Sequence, residues 1–139
     1  MIILEILKIS TPSREILIDI TEKIRNVVRK SGIEDGSCRV FVPHTTAGIT
    51  INENADPSVK SDIISFLNKL IPQRGRLGYN FRHIEGNSDA HIKASLIGPS
   101  LDLIIHEGRI LLGTWQGIMF AEFDGPRNRK IYVQISGEK

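Results

Sequence analysis

Short segments in which apolar and polar residues alternate constrain the fold of this chain most strongly. Residues 15–20 alternate with a period of two, and residues 2–9 form a β-branched apolar run that Glu5 and Lys8 interrupt. Both patterns are typical of β-strands, and the turn at residues 11–13 predicts that these two strands pair antiparallel. Similar segments predict further strands at residues 37–42, 49–51, 101–105, 109–112, 118–123 and 130–135.

Other segments carry apolar residues at helical spacing. The first of these helices is predicted to begin at Thr21 as its N-cap and to end at Gly32. The second is predicted to begin at Asp56, a favourable N-cap that a proline follows. A third, shorter helix is predicted over residues 90–97, with Asp89 as its cap.

Many short strands with close turns, together with two or three helices, predict an α+β fold. The expected architecture is an antiparallel two-sheet β-sandwich core flanked by two or three helices. A length of 139 residues, with 40% hydrophobic and 24% charged residues, predicts a single domain that spans residues 1–139.

Charge, hydropathy and cysteine content limit the possible binding partners of the protein and its possible cellular compartment. The net charge is only +2, and the basic residues near positions 74–76 and 127–130 read as solvated loop charges, so no nucleic-acid partner is predicted. No apolar run approaches the ~20 residues that span a bilayer, and the N-terminus does not resemble a signal peptide, so no membrane association is predicted. The single Cys38 lies in an apolar run, which predicts a buried inert thiol and a cytoplasmic location.

Two polar clusters predict the functional site. Residues 83–91 begin and end with a histidine, and residues 44–57 begin with another. A segment built only for packing would not concentrate metal- or proton-competent side chains in this way. In the first cluster these side chains are His83, Glu85, Asn87, Asp89 and His91.

Histidine is the commonest protein ligand for zinc, and three-histidine sites leave a position open for water or substrate. His44, His83 and His91 are therefore predicted to bind one divalent metal ion, with zinc as the first choice. The alternative is that each histidine hydrogen-bonds a neighbouring backbone group.

Two glutamates are candidates for proton transfer. Glu53 follows an apolar strand, where partial desolvation would favour base chemistry, and Glu85 lies between two histidines. The alternative for Glu53 is an ion pair with a surface cation. Asn52 and Asn54 are candidate ligand-binding residues, or they satisfy the backbone of their own loop.

Arginine and tryptophan residues near the C-terminus supply further candidates. Arg127 and Arg129 lie in a predicted hairpin turn, where they read either as a phosphate-binding pair or as solvated charges. Trp115 is either a core residue or one wall of a pocket. No P-loop, Rossmann fingerprint, nucleophile elbow or C-x-x-C pair is present, which argues against nucleotide-dependent and serine- or cysteine-nucleophile enzymes.

The polar motifs, taken together and in order, resemble one known family. They are H-T-T-A-G at 44–48, T-I-N-E-N-A-D-P at 50–57, H-I-E-G-N at 83–87, A-H-I-K at 90–93, G-T-W-Q-G at 113–117 and the acid-then-arginine segment 122–127. This set resembles the YjbQ-like family, whose members carry the label secondary thiamine-phosphate synthase.

The resemblance implies a compact α+β fold with a β-sandwich core, assembled as a homotrimer, and a metal-like site built around the histidines. The activity it implies joins a hydroxymethylpyrimidine diphosphate to a thiazole phosphate and releases pyrophosphate. That activity is a candidate side reaction of an enzyme with another physiological substrate.

Two functions are therefore expected. The first is a small metal-dependent enzyme that acts on phosphorylated metabolites, with Glu53 and Glu85 as catalytic groups. Its predicted substrate-binding residues are Asn52, Asn54, Asn87, Trp115 and Arg127. The second is a non-enzymatic metal- or ligand-binding module. The carboxylates favour the enzyme, because a pure binding site has no need of Glu53 as a spare base.

Overall fold

The computed structural model describes residues 1–139 and contains three helices and eight strands. In chain order the elements are β1 (Ile2–Ser10), β2 (Ile16–Asp19), α1 (Thr21–Ser31), β3 (Asp35–Phe41), β4 (Ala47–Glu53), α2 (Pro57–Leu70), α3 (Ser88–Ile97), β5 (Ser100–His106), β6 (Arg109–Ile110), β7 (Gln116–Glu122) and β8 (Asn128–Glu138). None of the helices has the length and apolar character that a membrane crossing requires.

The strands form two antiparallel sheets that face each other across the main apolar core. The five-stranded sheet has the order β1-β8-β3-β5-β6, and the three-stranded sheet has the order β2-β7-β4. Strand alternation sends Ile118 and Phe120 of β7 into the space between the sheets, and Met119 and Ala121 to the opposite face. On that opposite face they pack with residues of α2 and α3. The predicted two-sheet sandwich with flanking helices is confirmed.

The outer face of the five-stranded sheet is open. Ile2, Leu4 and Ile6 alternate along β1 on this face and are 70%, 60% and 53% exposed. Phe41 of β3 stacks on Tyr132 of β8 beside them, with ring centroids 6.4 Å apart. A contiguous apolar surface on a water-exposed sheet face is characteristic of an interaction surface.

The predicted pairing of β2 with β1 is wrong. β2 pairs with β7 in the three-stranded sheet, from Ile16 opposite Glu122 to Asp19 opposite Met119. β2 has apolar residues on both faces: Leu17 packs towards α3, while Ile18 packs on the main core. A strand of this kind requires cover on both sides, which only the three-stranded sheet provides.

Two predicted helix caps are also wrong, although the helices themselves are confirmed. Thr21 is the first residue of α1, and its N–H and hydroxyl both donate to the Asp19 carboxylate. Asp89 lies inside the first turn of α3, where it is fully buried and accepts hydrogen bonds from other side chains. Asp56 is confirmed as the N-cap of α2, since its carboxylate accepts from the Ser58 N–H at 2.9 Å.

Candidate functional site

The structure separates the predicted site residues into three groups. His44 lies in a groove beside the end of β1 and the start of β8. His83 and His91 line a second cavity, with Glu85 next to His83. The third group lies at the C-terminal end of β4 and just before β7. It consists of Asn52, Glu53, Asn54 and Trp115.

The His44 groove has a volume of about 480 Å³ and a basic lining. Lys8 of β1 and Lys130 of β8 stand directly opposite each other in the antiparallel register. Residues in this relation have Cβ atoms about 4.5–5.5 Å apart, and two like charges there repel each other. Neither ammonium group forms an ion pair within the chain. The arrangement therefore suits an anionic ligand.

Two polar groups extend this basic lining. Ser10 and Asn128 are the next opposed pair on the same face, and the Ser10 hydroxyl donates to the Asn128 side-chain oxygen at 3.0 Å. The Lys130 ammonium lies 5.5 Å from the centroid of the Tyr132 ring, a cation–π contact that holds the side chain over the open sheet face.

A buried ion pair supports the groove from beneath. The Arg129 guanidinium makes two hydrogen bonds to the Glu122 carboxylate and one to the Thr46 hydroxyl, the last at 2.8 Å. Glu122 is fully buried and also accepts from the Thr11 hydroxyl and the Asp124 N–H. Burial raises the pKa of Glu122, but these hydrogen bonds outweigh burial and hold the pKa below its ordinary value.

Arg129 was predicted to lie in a solvated or phosphate-binding turn, and the turn placement is wrong. It is the second residue of β8 and is only 7% exposed. Its Nε and Nη2 groups donate to Glu122 and Thr46, while Nη1 makes no hydrogen bond within the chain. Arg129 therefore fixes the start of β8 and adds its charge to the groove, whose wall it forms in part.

The hydrogen bonding of His44 fixes its tautomer. The Lys130 backbone N–H donates to His44 Nε2 at 3.0 Å, so Nε2 must carry a lone pair. Burial, and then the nearby Arg129 cation, lower the pKa of His44 below its ordinary value, which favours the neutral ring. The proton of a neutral ring must then reside on Nδ1. His44 therefore presents an N–H donor, a group that complements a phosphate oxygen.

His83 and His91 form a close pair. Their ring centroids are 5.4 Å apart and the ring planes are nearly perpendicular. Glu85 Oε2 lies 3.8 Å from His83 Nε2. The cavity that the two rings share, with Tyr79 and Phe81, has a volume of about 370 Å³.

The three predicted metal ligands do not form one ligand set within a single chain. No group of three or more histidine, cysteine, aspartate or glutamate side chains is arranged to hold a metal ion. His44 and the His83–His91 pair line different cavities, and the ring nitrogen Nε2 of His44 already accepts a backbone hydrogen bond. A site with more than two histidines requires a rearrangement or a ligand from outside the chain.

Glu53 organises the loop that leads into α2. Its carboxylate accepts from the backbone N–H groups of Ala55 at 2.7 Å and of Asp56 at 3.3 Å. The Asn52 side-chain oxygen accepts from the Glu53 N–H at 2.7 Å. These contacts are local and match the alternative in which Asn52 satisfies its own loop. The alternative for Glu53, an ion pair with a surface cation, is not found, because its carboxylate accepts from its own loop instead.

Asn54 joins three segments of the chain. Its amide nitrogen donates to the Asp19 carboxylate at 2.8 Å, and its backbone N–H donates to the Trp115 carbonyl. A Cβ on Gly117 would lie 2.6 Å from the Asn54 Cβ, so the glycine is needed for this approach. The Asn54 side-chain oxygen is buried without a partner, while the Trp115 ring is 63% exposed. Trp115 is therefore not a core residue.

Asp124 connects the histidine pair with the His44 groove. It accepts from the Asn87 amide at 2.8 Å and from the Arg127 guanidinium at 3.0 Å. Asn87 immediately precedes α3, which carries His91, whereas Arg127 precedes the β8 segment that carries Arg129 and Lys130. The connection between β7 and β8 is thus the shared support of two of the three groups.

A second buried ionic network holds α3 in place. Lys93 is fully buried, and its ammonium contacts Asn68 at 2.6 Å, Asp89 at 3.1 Å and Glu15 at 3.3 Å. Arg14 closes the network by binding the carboxylates of Asp89 and Glu15. These contacts join α2, α3 and the segment before β2.

Sequence reasoning missed the role of Lys8 and Lys93 altogether. Lys8 appeared only as an interruption in an apolar strand, and Lys93 appeared only as the last residue of the A-H-I-K motif. The pairing of Glu122 with Arg129 carried one signal: Glu122 is the first residue of the acid-then-arginine segment of the family resemblance, and Arg129 lies two residues beyond its end.

Comparisons with known proteins agree on one family. Residues 5–138 match the family model described as UPF0047 protein YjbQ-like. The chain is 61% identical to the UPF0047 protein MJ1081 of Methanocaldococcus jannaschii, over 95% of this chain and 93% of that protein. It is 47% identical to the UPF0047 protein YugU of Bacillus subtilis, over 96% and 99% of the two chains.

Solved structures give the same result. A YjbQ/UPF0047 protein from Clostridium acetobutylicum superposes with a TM-score of 0.90 at 52% identity, over 95% of this chain and 99% of that one. A YbjQ-like protein of unknown function from Sulfolobus solfataricus gives a TM-score of 0.92 at 34% identity, over 99% of each chain. Sequence, fold and motif order therefore place this chain in the UPF0047 YjbQ-like family.

Proposed function

We propose that the protein is an enzyme that acts on phosphorylated metabolites and holds a phosphate group in the His44 groove. The observation that carries this proposal is the pair of opposed, unpaired lysines, Lys8 and Lys130, in the groove that His44 also lines. Repulsion between the two ammonium groups is relieved when a dianionic phosphate lies between them. A cytoplasmic location is part of the proposal and rests on the single buried thiol of Cys38.

The reaction we propose is thiamine-phosphate synthesis, which the family resemblance supports. The thiazole nitrogen forms a bond to the methylene carbon of the pyrimidine. The bond from that carbon to the diphosphate oxygen breaks, and its electron pair leaves with pyrophosphate. Lys8, Lys130 and the Nδ1–H of His44 stabilise the charge that develops on the leaving oxygen atoms. Bond formation at the thiazole nitrogen transfers no proton, so this step does not require Glu53 or Glu85 as a base; their predicted catalytic role stays a prediction.

Replacing both lysines will test the proposal. We expect Lys8→Ala and Lys130→Ala each to lower kcat/KM about tenfold and the double variant about a hundredfold, because each removes one charge-assisted contact to the leaving group. The measurement is thiamine phosphate formation by purified protein from the two phosphorylated precursors. His106→Ala is the control, since that imidazole is exposed and bound to Asp35.

Two results would contradict different parts of the proposal. If the unmodified protein forms no product but still binds pyrophosphate, the proposed synthase activity is wrong and the proposed phosphate site still stands. If the double variant forms product at the rate of the unmodified protein, the proposed phosphate site is wrong.

The alternative function, a metal-binding module, is favoured by the close pair His83 and His91. We propose that these two rings bind a divalent ion, zinc first, and that substrate, solvent or a neighbouring copy supplies the remaining ligands. His83→Ala and His91→Ala are each expected to abolish binding of one zinc ion per chain, measured by elemental analysis of tag-free protein. His106→Ala should bind as the unmodified protein does. No zinc after incubation and desalting would rule out this site.

We also propose that the protein assembles as a homotrimer through the open face of the five-stranded sheet. The exposed Ile2, Leu4 and Ile6 support this, because a second copy would bury them. Light scattering at micromolar concentration should return three times the chain mass of 15.5 kDa. The variant with Leu4→Glu and Ile6→Glu should return a smaller mass, because burying the new carboxylates is unfavourable. A monomer mass for the unmodified protein would overturn this assembly.

A further inference from the structure

A cavity of about 590 Å³ lies between the C-terminal half of α1 and the hairpin of β5 and β6. It shares no residue with the His44 groove or with the cavity of the histidine pair. Its volume falls in the range of small-molecule sites. No motif of the sequence and no part of the proposed function accounts for it.

Three arginines line this cavity. Arg25 and Arg29 are one turn apart on α1, and Arg109 approaches from β6. Arg25 is engaged by Glu22 at 2.9 Å, but Arg29 has only a long contact of 3.4 Å to Asn26, and Arg109 forms no ion pair. Two guanidinium groups are therefore free to bind an oxyanion from opposite walls.

Two carboxylates line the same cavity without neutralising these arginines. Neither Glu34 nor Glu107 lies within ion-pair distance of an arginine. Glu107 has a φ of +51°, a left-handed conformation that non-glycine residues rarely adopt, and it directs the hairpin turn beside the cavity. Gly108 follows with a φ of +75°, so the two residues form the two-residue loop of the β5–β6 hairpin, which fixes Glu107 at the cavity.

The floor of the cavity is apolar. Val28 and Ile33 come from α1 and the segment that follows it, and Ile110 comes from β6. The lining thus combines two free guanidinium groups, the free carboxylate of Glu34, the carboxylate of Glu107 and an aliphatic floor. Glu107 Oε1 lies 3.6 Å from His106 Nε2, outside the cavity lining. The complementary ligand carries an oxyanion, N–H donors and a flat apolar body.

We propose that this cavity binds a phosphorylated nitrogen heterocycle of nucleotide size. Arg29 and Arg109 hold the phosphate, Glu34 and Glu107 accept hydrogen bonds from ring amino groups, and the aliphatic floor contacts the ring. The site is separate from the His44 groove, so it does not depend on the proposed reaction.

Calorimetric titration of the full chain with AMP and with CMP tests this site. We expect at least one of them to bind saturably with a Kd below a few millimolar, the range of a ligand held by two or three polar contacts. The double variant Arg29→Ala with Arg109→Ala should raise that Kd at least tenfold, and Glu107→Gln should raise it severalfold. Both arginines are exposed, so circular dichroism of the variants should be unchanged.

Matched controls separate this site from general charge effects and from the His44 groove. Arg39→Ala removes an exposed arginine that pairs with Asp102 on the far sheet face, and should leave the Kd unchanged. The double variant Lys8→Ala with Lys130→Ala should also bind normally. Adenosine or cytidine alone, and inorganic phosphate alone, should each bind at least tenfold more weakly than the nucleotide.

Several outcomes would overturn the assignment. They are the absence of saturable binding by both nucleotides, an unchanged Kd in the double arginine variant, and loss of binding in the double lysine variant. If inorganic phosphate binds as tightly as AMP and CMP, the proposed contacts between the cavity and the heterocycle are wrong.

Discussion

Replacing Arg129 with methionine is expected to lower the free energy of unfolding by about 3–5 kcal/mol. The substitution leaves the Glu122 carboxylate without its cation in a fully buried position. The remaining donors, the Thr11 hydroxyl and the Asp124 N–H, cannot compensate the charge. Urea denaturation of the purified variant at neutral pH measures the change.

The control for this prediction is Arg25→Met, which breaks the exposed pair between Arg25 and Glu22 on α1. We expect a change of about 0–1 kcal/mol there, because solvent screens both charges. Adding Glu122→Gln to Arg129→Met should recover part of the lost stability, because the buried group is then neutral. An Arg129→Met variant within 1 kcal/mol of the unmodified protein would show that Glu122 is protonated or hydrated in the folded state.

Replacing Lys93 with methionine is expected to have an effect of similar size, about 3–5 kcal/mol. The ammonium group is fully buried between Asp89, Glu15 and Asn68, and its removal leaves two carboxylates that only Arg14 neutralises. α3 has few apolar contacts to replace the network, since its buried apolar residues are two alanines. Thermal and urea unfolding measure the loss.

This variant should also loosen the helical layer. No residue of α2 is fully buried, and the bond from Lys93 to Asn68 is the polar tie between α2 and α3. Amide hydrogen exchange in α2 should therefore accelerate more than in the strands. Lys23→Met, at an exposed α1 position with no ion pair, should change stability by less than about 0.5 kcal/mol. Equal effects of the two substitutions would contradict a structural role for the network.

The sequence by itself determined the elements of this fold. The apolar run of residues 118–123 predicted β7, and helical spacing together with Asp56 and its following proline predicted α2 and its first residue. Gly32 ends α1 with a φ of +70°, as predicted. Cys38 is buried, and burial raises the pKa of its thiol to about 12, as expected of an inert residue. Each of these features depends on neighbours in the chain, which a sequence displays directly.

Only the tertiary structure decided which residues meet. Lys8 opposes Lys130 because of a register between segments more than one hundred residues apart, and no local pattern contains that register. Arg129 was predicted to be a phosphate-binding or solvated charge in a turn, yet it is buried together with Glu122 of β7. Lys93 entered the sequence argument only as the last residue of the A-H-I-K motif, and its contacts with Asn68 of α2 and Glu15 before β2 come from long-range packing. Whether a charged side chain is buried depends on the residues that long-range packing brings around it. The candidate groove and both ionic networks therefore follow from the packing of the sheets and helices.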